Sequence, residues 1–166
     1  MDDLAEHIPR LRRYARALTG ERHQADDLVQ DTLERALTRF SFWQRGSRLD
    51  SWLLTIMHNI FVNQIKAAHR QATEVLDELA HQPSQRATQS DALEVQDIHA
   101  ALAMLPYEQR SVLLLVTLDE RSYEETAAIL DIPVGTVMSR LSRARDRLRQ
   151  LLEGTASTAP ALKVVK

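Results

Sequence analysis

The sequence contains no cysteine, which excludes disulfides and any thiolate metal site. Glycine (4 residues) and proline (5) are scarce in a chain of 166, and aromatic residues make up only 5 %. With so few helix breakers, and with Leu, Ala, Arg, Glu and Gln abundant, the composition directs the chain towards helix. No apolar run approaches the roughly 18 residues of a membrane span, and the start, Met1-Asp2-Asp3, is acidic where a secretory signal would be basic. A cytoplasmic protein without membrane insertion is expected. Neither a Gly-rich phosphate loop nor a nucleophile–base pairing is present. His7, His23, His69, His81 and His99 fall at no ligand spacing and read as surface residues. Catalytic activity, a cofactor, a metal and a small-molecule substrate are therefore not expected.

What is there is 44 % hydrophobic residues and a formal net charge of −2. That length and apolar content suit one ordinary domain or two small ones, each with a marginal core. The charge is segregated. Between Gln71 and Ala100, Arg86 stands among Glu74, Asp77, Glu78, Asp91, Glu94 and Asp97, with no other Arg or Lys. Between Val134 and Leu152 the balance reverses, with Arg140, Arg143, Arg145, Arg147 and Arg149 against Asp146. Separated blocks of this kind say more about partners than the total does.

Apolar periodicity divides the chain. Leu11, Tyr14, Ala15 and Leu18 recur at helical spacing over about 10–19, and Thr19-Gly20 stops that helix. A second helix is predicted from about Gln24 to Phe40, with Asp26, Asp27 and Asp31 in its first turns, where the helix dipole favours acids. An irregular piece, Ser41–Leu49, precedes a third helix over about Asp50–Arg70. From Gln71 to about Ser90 the chain is polar and reads as a linker, with a helical turn possible near Val75–Ala80. A second unit starts near Ala92, with helices predicted at Leu93–Met104, from Pro106 to about Leu118, from a Ser122-x-x-Glu125 capping box to Leu130, and from Thr136 to about Leu152. The tail, Gly154–Lys166, reads as frayed.

A short capped helix, a tight turn at Asp131–Gly135 and a longer basic helix make a helix-turn-helix pattern. Val137, Leu141, Ala144, Leu148 and Leu151 form one apolar stripe. Thr136, Ser139, Ser142 and Arg143 point away from it, and Arg140 and Arg147 flank it. Small hydroxyls and guanidinium groups on that face suit a DNA major groove and its phosphates. The plainer reading is an amphipathic helix whose arginines face water.

Two sets of residues carry a family resemblance. Leu105-Pro106-Tyr107-Glu108-Gln109-Arg110, Ser122-Tyr123-Glu124-Glu125 and Ile132-Pro133-Val134-Gly135-Thr136-Val137-Met138-Ser139-Arg140-Leu141 resemble the sigma-four domain of extracytoplasmic-function sigma factors. Arg13-Tyr14-Ala15-Arg16-Ala17-Leu18-Thr19-Gly20, Asp26-Asp27-Leu28-Val29-Gln30-Asp31 and Ser51-Trp52-Leu53 resemble their sigma-two domain. Both lie in the family's order, and the resemblance covers about Ile8–Leu152. It implies an all-α protein of two small helical domains: sigma-two at 1–70, a flexible linker at 71–91, sigma-four at 92–153 and a tail at 154–166. The implied function is to bind core RNA polymerase and direct promoter recognition, DNA melting and transcription initiation, with the chemistry left to polymerase. An anti-sigma factor is the implied regulator.

The resemblance assigns roles by residue. Asp26, Asp27, Gln30, Asp31 and Glu34 would meet the clamp coiled coil of the largest polymerase subunit, and the second domain would meet the flap region. Without that context these acids read as surface charge complementing a helix dipole. Phe42, Trp43, Arg45, Ser47 and Arg48 fall where the family captures a flipped base of the minus-ten element, which requires aromatic or guanidinium platforms. Phe42 and Trp43 read equally well as core plugs, and Trp52 reads mainly as core. His58, Asn59, Asn63 and Lys66 would line the strand-separation surface. Thr136, Ser139, Arg140, Ser142, Arg143 and Arg147 would read the minus-thirty-five element. The chain departs from the family pattern at His58 and Lys66, where Arg is usual, and at Asn63, where Asp is usual. It departs again at Asp131, where Gly is usual, and at Met138, where Lys or Arg is. Base preference and promoter affinity are thereby left open, while Asp tolerates the left-handed conformation that such a turn requires.

The promoter elements lie about two duplex turns, roughly 70 Å, apart. A linker of about 20 residues spans that only when extended, and its acidity suits a channel built for nucleic acid. Two other readings compete. A helix-turn-helix regulator acting without polymerase would leave the Asp26–Asp31 motif unused. A sigma-like decoy that titrates an anti-sigma factor would tolerate His58 and Met138.

Overall fold

The computed structural model describes residues 2–43, 48–76 and 93–158, which form eight α-helices and a short 3-10 turn. The first helix, α1 (Asp2–Glu6), has no signature in the periodicity. Helix α2 (Ile8–Thr19) opens with Pro9 in its first turn and closes on Gly20, whose positive φ of 75° lets its N–H return to the Arg16 carbonyl at 2.9 Å. Glu21 then caps α3 (Arg22–Thr38) by accepting from the His23 and Gln24 N–H groups, both at 3.2 Å. A 3-10 turn, Phe40–Phe42, ends this hairpin.

Helix α4 runs from Leu49 to Leu76, further than the periodicity suggests. Gln71–Leu76, expected in the linker, continue the helix because no Gly or Pro intervenes before Pro83. The rest of the expected linker, to Asp91, lies outside the described residues. Helices α5 (Leu93–Met104) and α6 (Tyr107–Thr117) meet at Leu105-Pro106, where Pro106 is the N-cap residue. The Ser122 hydroxyl caps α7 (Tyr123–Leu130) by accepting from the Glu125 N–H at 3.0 Å. The expected capping box is made in that arm, but the Glu125 carboxylate turns to Arg48 and Arg121. Asp131 takes the left-handed cap (φ 54°), as its residue type allows. Helix α8 spans Val134–Thr158, so 154–158, read as frayed from sequence, are helical.

Helices α1–α4 form one bundle and α5–α8 the other, yet the two do not keep separate cores. The buried apolar side chains make one contiguous cluster, from Leu4, Leu11 and Leu18 through Leu53, Met57 and Phe61 to Leu115, Val137 and Ala144. Phe61 of α4 meets Tyr107 of α6 edge-on, with ring centroids 6.4 Å apart. The Tyr14 phenol of α2 is buried beside Ser111 of α6, and burial raises its pKa. Two marginal cores thus become one larger one, which lowers the exposed apolar area of each.

Candidate polymerase and nucleic-acid interfaces

The acidic strip lies along α3. Ala25, Leu28, Val29, Thr32 and Ala36 are buried. This phase turns Asp26, Asp27, Gln30, Asp31 and Glu34 all to solvent. The strip is internally ordered. Gln30 Nε2 donates to Glu34 Oε1 at 3.3 Å, and His23 Nε2 lies 3.9 Å from an Asp27 oxygen. Asp27 also rims an open hollow of about 370 Å³ shared with Phe61, Gln64 and Ile65 of α4. All five side chains are therefore accessible while the two bundles are packed together.

Beyond α3 the aromatic residues separate. Phe42 is 79 % exposed, so it is not a core plug. Trp43 packs on Phe40, with centroids 5.4 Å apart, and belongs to the core margin. Trp52 meets Phe40 edge-on at 6.4 Å. It is also half-exposed to a hollow of about 540 Å³ lined by Arg39, Phe42, Thr55, Ile56 and Asn59. An aromatic floor beside a guanidinium and an amide is the equipment for holding an unstacked base. Arg45 and Ser47 lie outside the described residues. Arg48 is exposed but occupied, donating to Glu125 at 2.9 Å and to Asp50 at 3.1 Å.

Asn59, Asn63 and Lys66 share an exposed face of α4 and line a cleft of about 490 Å³ with Arg35 of α3 and Arg39, the C-cap residue of that helix. Those two arginines were not singled out from sequence. Their i, i+4 spacing at the end of α3, just before the aromatic segment, was the available signal. His58 lines the same cleft and also reaches beyond it. It is half-buried and turned towards the second bundle, where it shares a hollow of about 160 Å³ with Tyr107, Glu108, Ser111 and Arg140. Its Nδ1 is buried without a hydrogen-bond partner, and burial, reinforced by Arg140, lowers its pKa to about 4.

On α8 the apolar stripe is as expected: Val137, Leu141 and Ala144 are buried, and Leu148 and Leu151 are half-buried. Ser139, Ser142, Arg143 and Arg147 are exposed, while Thr136 and Arg140 are half-buried. Met138, at 53 % exposure, is an apolar spot amid this polar face. Thus His58 and Arg140, assigned to different promoter elements, face the same hollow in this arrangement.

The join between the bundles is strongly polar at one side. Arg121 Nη2 donates to Asp50 at 2.7 Å and Arg121 Nη1 to Ser51 Oγ at 2.9 Å; Arg10 Nε donates to Asp119 at 2.8 Å. Hydrogen bonding to Arg121 holds the Asp50 carboxyl below its usual range, outweighing the opposing effect of burial. None of these pairings was anticipated, because each joins residues far apart in sequence. Among the described residues, no helix is long and apolar enough to cross a membrane.

Comparison with known proteins covers both bundles. Residues 4–58 match the model of the Sigma2 domain of PhyR, and residues 95–148 match Sigma-70, region 4. The chain is 40 % identical over 151 residues to the ECF RNA polymerase sigma factor EcfG of Rhodopseudomonas palustris, covering 91 % of this chain and 83 % of the relative. It is 34 % identical to SigE of Mycolicibacterium smegmatis, covering 89 % of this chain and 59 % of that one. Among solved structures it resembles the sigma factor RpoE of Bartonella quintana, in complex with the anti-sigma factor NepR. That match has a TM-score of 0.77 and 36 % identity, over 92 % of this chain and 95 % of the other. The anti-anti-sigma factor PhyR of the same organism shares the fold at 19 % identity.

Proposed function

The chain belongs to the extracytoplasmic-function RNA polymerase sigma factors, and on that premise we propose how its parts divide the work of initiation. Residues 1–70 act as the unit that binds core polymerase and the minus-ten element, residues 92–153 as the unit that reads the minus-thirty-five element, and 71–91 connect them. The α3 strip, Asp26, Asp27, Gln30, Asp31 and Glu34, docks on the clamp coiled coil. The second unit approaches the flap region.

At the minus-ten element, Phe42 and the hollow beside Trp52 receive an unstacked base, assisted by Arg39 and Asn59. Trp43 supports that floor through Phe40. Arg45, Ser47 and Arg48 follow the backbone of the same strand, and Asn63 and Lys66 continue its path with Arg35. At the minus-thirty-five element Ser139, Ser142 and Arg143 enter the major groove, with Thr136, Arg140 and Arg147 beside them. The chain recognises and opens DNA, and polymerase supplies the chemistry.

An anti-sigma factor regulates this chain. The reading is supported by the likeness, over nearly its whole length, to a sigma factor solved with NepR. The decoy reading draws on the match to the PhyR sigma-two model. It is weaker, because identity is 40 % to a sigma factor and 19 % to PhyR.

The observation that carries the proposal is the exposure of the whole α3 strip in an arrangement where His58 and Arg140 face each other's bundle. Polymerase can engage first, and the DNA-reading faces part afterwards. The test is transcription of fragmented genomic DNA by core polymerase with and without the protein, followed by sequencing of RNA 5′ ends. New starts sharing two spaced upstream elements support it. Core binding without new starts favours the decoy, and no core binding favours a regulator acting alone.

A further inference from the structure

Met138 is the fifth residue of α8, and it is 53 % exposed on the side of the helix assigned to DNA. The buried stripe of Val137, Leu141 and Ala144 does not take it in. Its neighbours one turn away on the same face are Gly135 and Ser142, both exposed. Apart from its own turn of helix, no described part of the chain lies within 4 Å of where a Gly135 side chain would begin. The thioether therefore rises from a shelf of small residues, and its unbranched stem can adapt to the surface it meets. Ser139, beside it, donates its hydroxyl proton to the Thr136 carbonyl at 3.1 Å. That hydroxyl is left to meet DNA as an acceptor.

What a methionine can do in a major groove follows from what it lacks. It has no N–H or O–H to offer a phosphate, so it adds nothing to backbone attraction. Guanine, adenine and cytosine present only polar groups along that groove: N7 and O6 acceptors and the N6 or N4 amino donors. Thymine alone presents an apolar group, its C5 methyl. A thioether pressed on a polar edge displaces water from it and returns no hydrogen bond, which is unfavourable. Pressed on a thymine methyl, it removes two apolar surfaces from water at once. Selectivity at this position arises from the bases it rejects as much as from the one it accepts.

Position along the helix agrees with such a role, because the N-terminal residues of a recognition helix are the ones that reach base edges. We propose that Met138 is a specificity-determining residue that packs on the C5 methyl of a thymine in the minus-thirty-five element. Three neighbours on α8 then ask for different chemistry. Ser139 accepts from an amino group, Arg143 donates to guanine acceptors, and Met138 selects a methyl. The proposal rests on the sigma-factor reading for the placement of α8 in the groove, and adds to it the base that residue 138 selects.

The test begins with duplexes selected from a random library by the full chain, with and without core polymerase. Each thymine of the selected site is then replaced in turn by uracil, which lacks the methyl and keeps every hydrogen-bonding group. Binding is compared for the parent, Met138→Ala and Met138→Lys, with circular dichroism confirming that both variants keep their helix content. At one position uracil should weaken parent binding about fourfold, the worth of one buried apolar carbon. Met138→Ala should bind thymine and uracil equally there and accept other bases. Met138→Lys should lose the thymine preference too, while the slope of log affinity against log salt steepens by about 0.9, one added phosphate contact. Uracil sensitivity that is the same in the parent and Met138→Ala at every thymine would overturn the proposal. So would a site selected by the parent with no thymine in it. Failure of the sigma reading would look different: the chain would select its site equally well without core polymerase, and the uracil scan on that site would still decide the role of Met138.

Discussion

Arg110 Nη1 of α6 donates to the backbone carbonyl of Leu18 at 2.6 Å, closing the C-terminal end of α2 from the other bundle. The same guanidinium donates to the carbonyls of Leu102 at 2.7 Å, Ala103 at 3.1 Å and Leu105 at 2.7 Å, where α5 ends. Two helix C-termini, each with unpaired carbonyls and negative dipole charge, are thus served by one cation. Lysine keeps the charge but cannot span four acceptors. Arg110→Lys is expected to destabilise the protein by about 2 kcal/mol, read as a lower midpoint in urea unfolding. An unchanged midpoint would show that water replaces these bonds without loss.

Stability should fall in mild acid because of His58. Its pKa is near 6.5 when exposed and about 4 in the closed fold. At pH above 6.5 the imidazole is neutral in both states and costs nothing. Between 6.5 and about 4 the unfolded or opened chain binds the proton first, so stability drops by roughly 1.4 kcal/mol per pH unit in that window. Glu108 and Arg140 face the same hollow and Arg140 opposes the added charge. Denaturant titrations from pH 7.5 to 4.5 should show this slope in the parent and a shallower one in His58→Gln. Equal slopes would place the pH dependence elsewhere.

The α3 strip should be separable from folding. Asp27→Lys and Asp31→Lys change exposed positions, and surface substitutions usually shift stability by about 0.5 kcal/mol or less. Core-polymerase binding should nevertheless fall at least tenfold, most strongly at low salt, where charge steering is unscreened. Pull-down or fluorescence titration with core enzyme measures this. Retained affinity would remove the strip from the interface.

Phe42 offers an equally clean case. Because it is 79 % exposed, Phe42→Ala should leave the melting temperature unchanged. Loss of one base stack should cost promoter opening about 1–3 kcal/mol, visible as reduced permanganate reactivity of minus-ten thymines. Trp43→Ala should differ by lowering the melting temperature as well, since Trp43 packs on Phe40.

On α8, Arg143 is exposed and Arg140 half-buried. Arg143→Ala should weaken holoenzyme binding to minus-thirty-five duplex by about 1–3 kcal/mol with an unchanged melting temperature. Arg140→Ala should combine weaker binding with a smaller pH dependence, because it faces His58. A band-shift series with matched and altered duplexes distinguishes the two.

Much of this was legible from local pattern. Val137, Leu141 and Ala144 are buried because their spacing puts them on one face of any helix they form. The same logic exposes Asp26, Asp27, Gln30, Asp31 and Glu34 once Leu28, Val29 and Thr32 turn inward. Pattern was less informative where elements end. Helix α4 passes Arg70 because nothing in Gln71–Leu76 breaks it, and α8 passes Leu152 to Thr158 with Gly154 inside it. The role of Glu125 was half visible: Ser122-x-x-Glu125 announces a cap, but whether the carboxylate folds back or reaches outward depends on the neighbour it finds.

The sequence by itself determined the helices, their buried stripes, the all-α class and the family, because these depend on residue type and on spacings within a few turns. The packing of one bundle on the other was decided only in three dimensions. Arg121 meets Asp50 across 71 positions, Arg10 meets Asp119 across 109, and Arg110 reaches Leu18 across 92. No periodicity encodes such pairs. Arginine and aspartate at these positions read as solvated surface until a shared apolar cluster brings the two bundles together and removes the water between them.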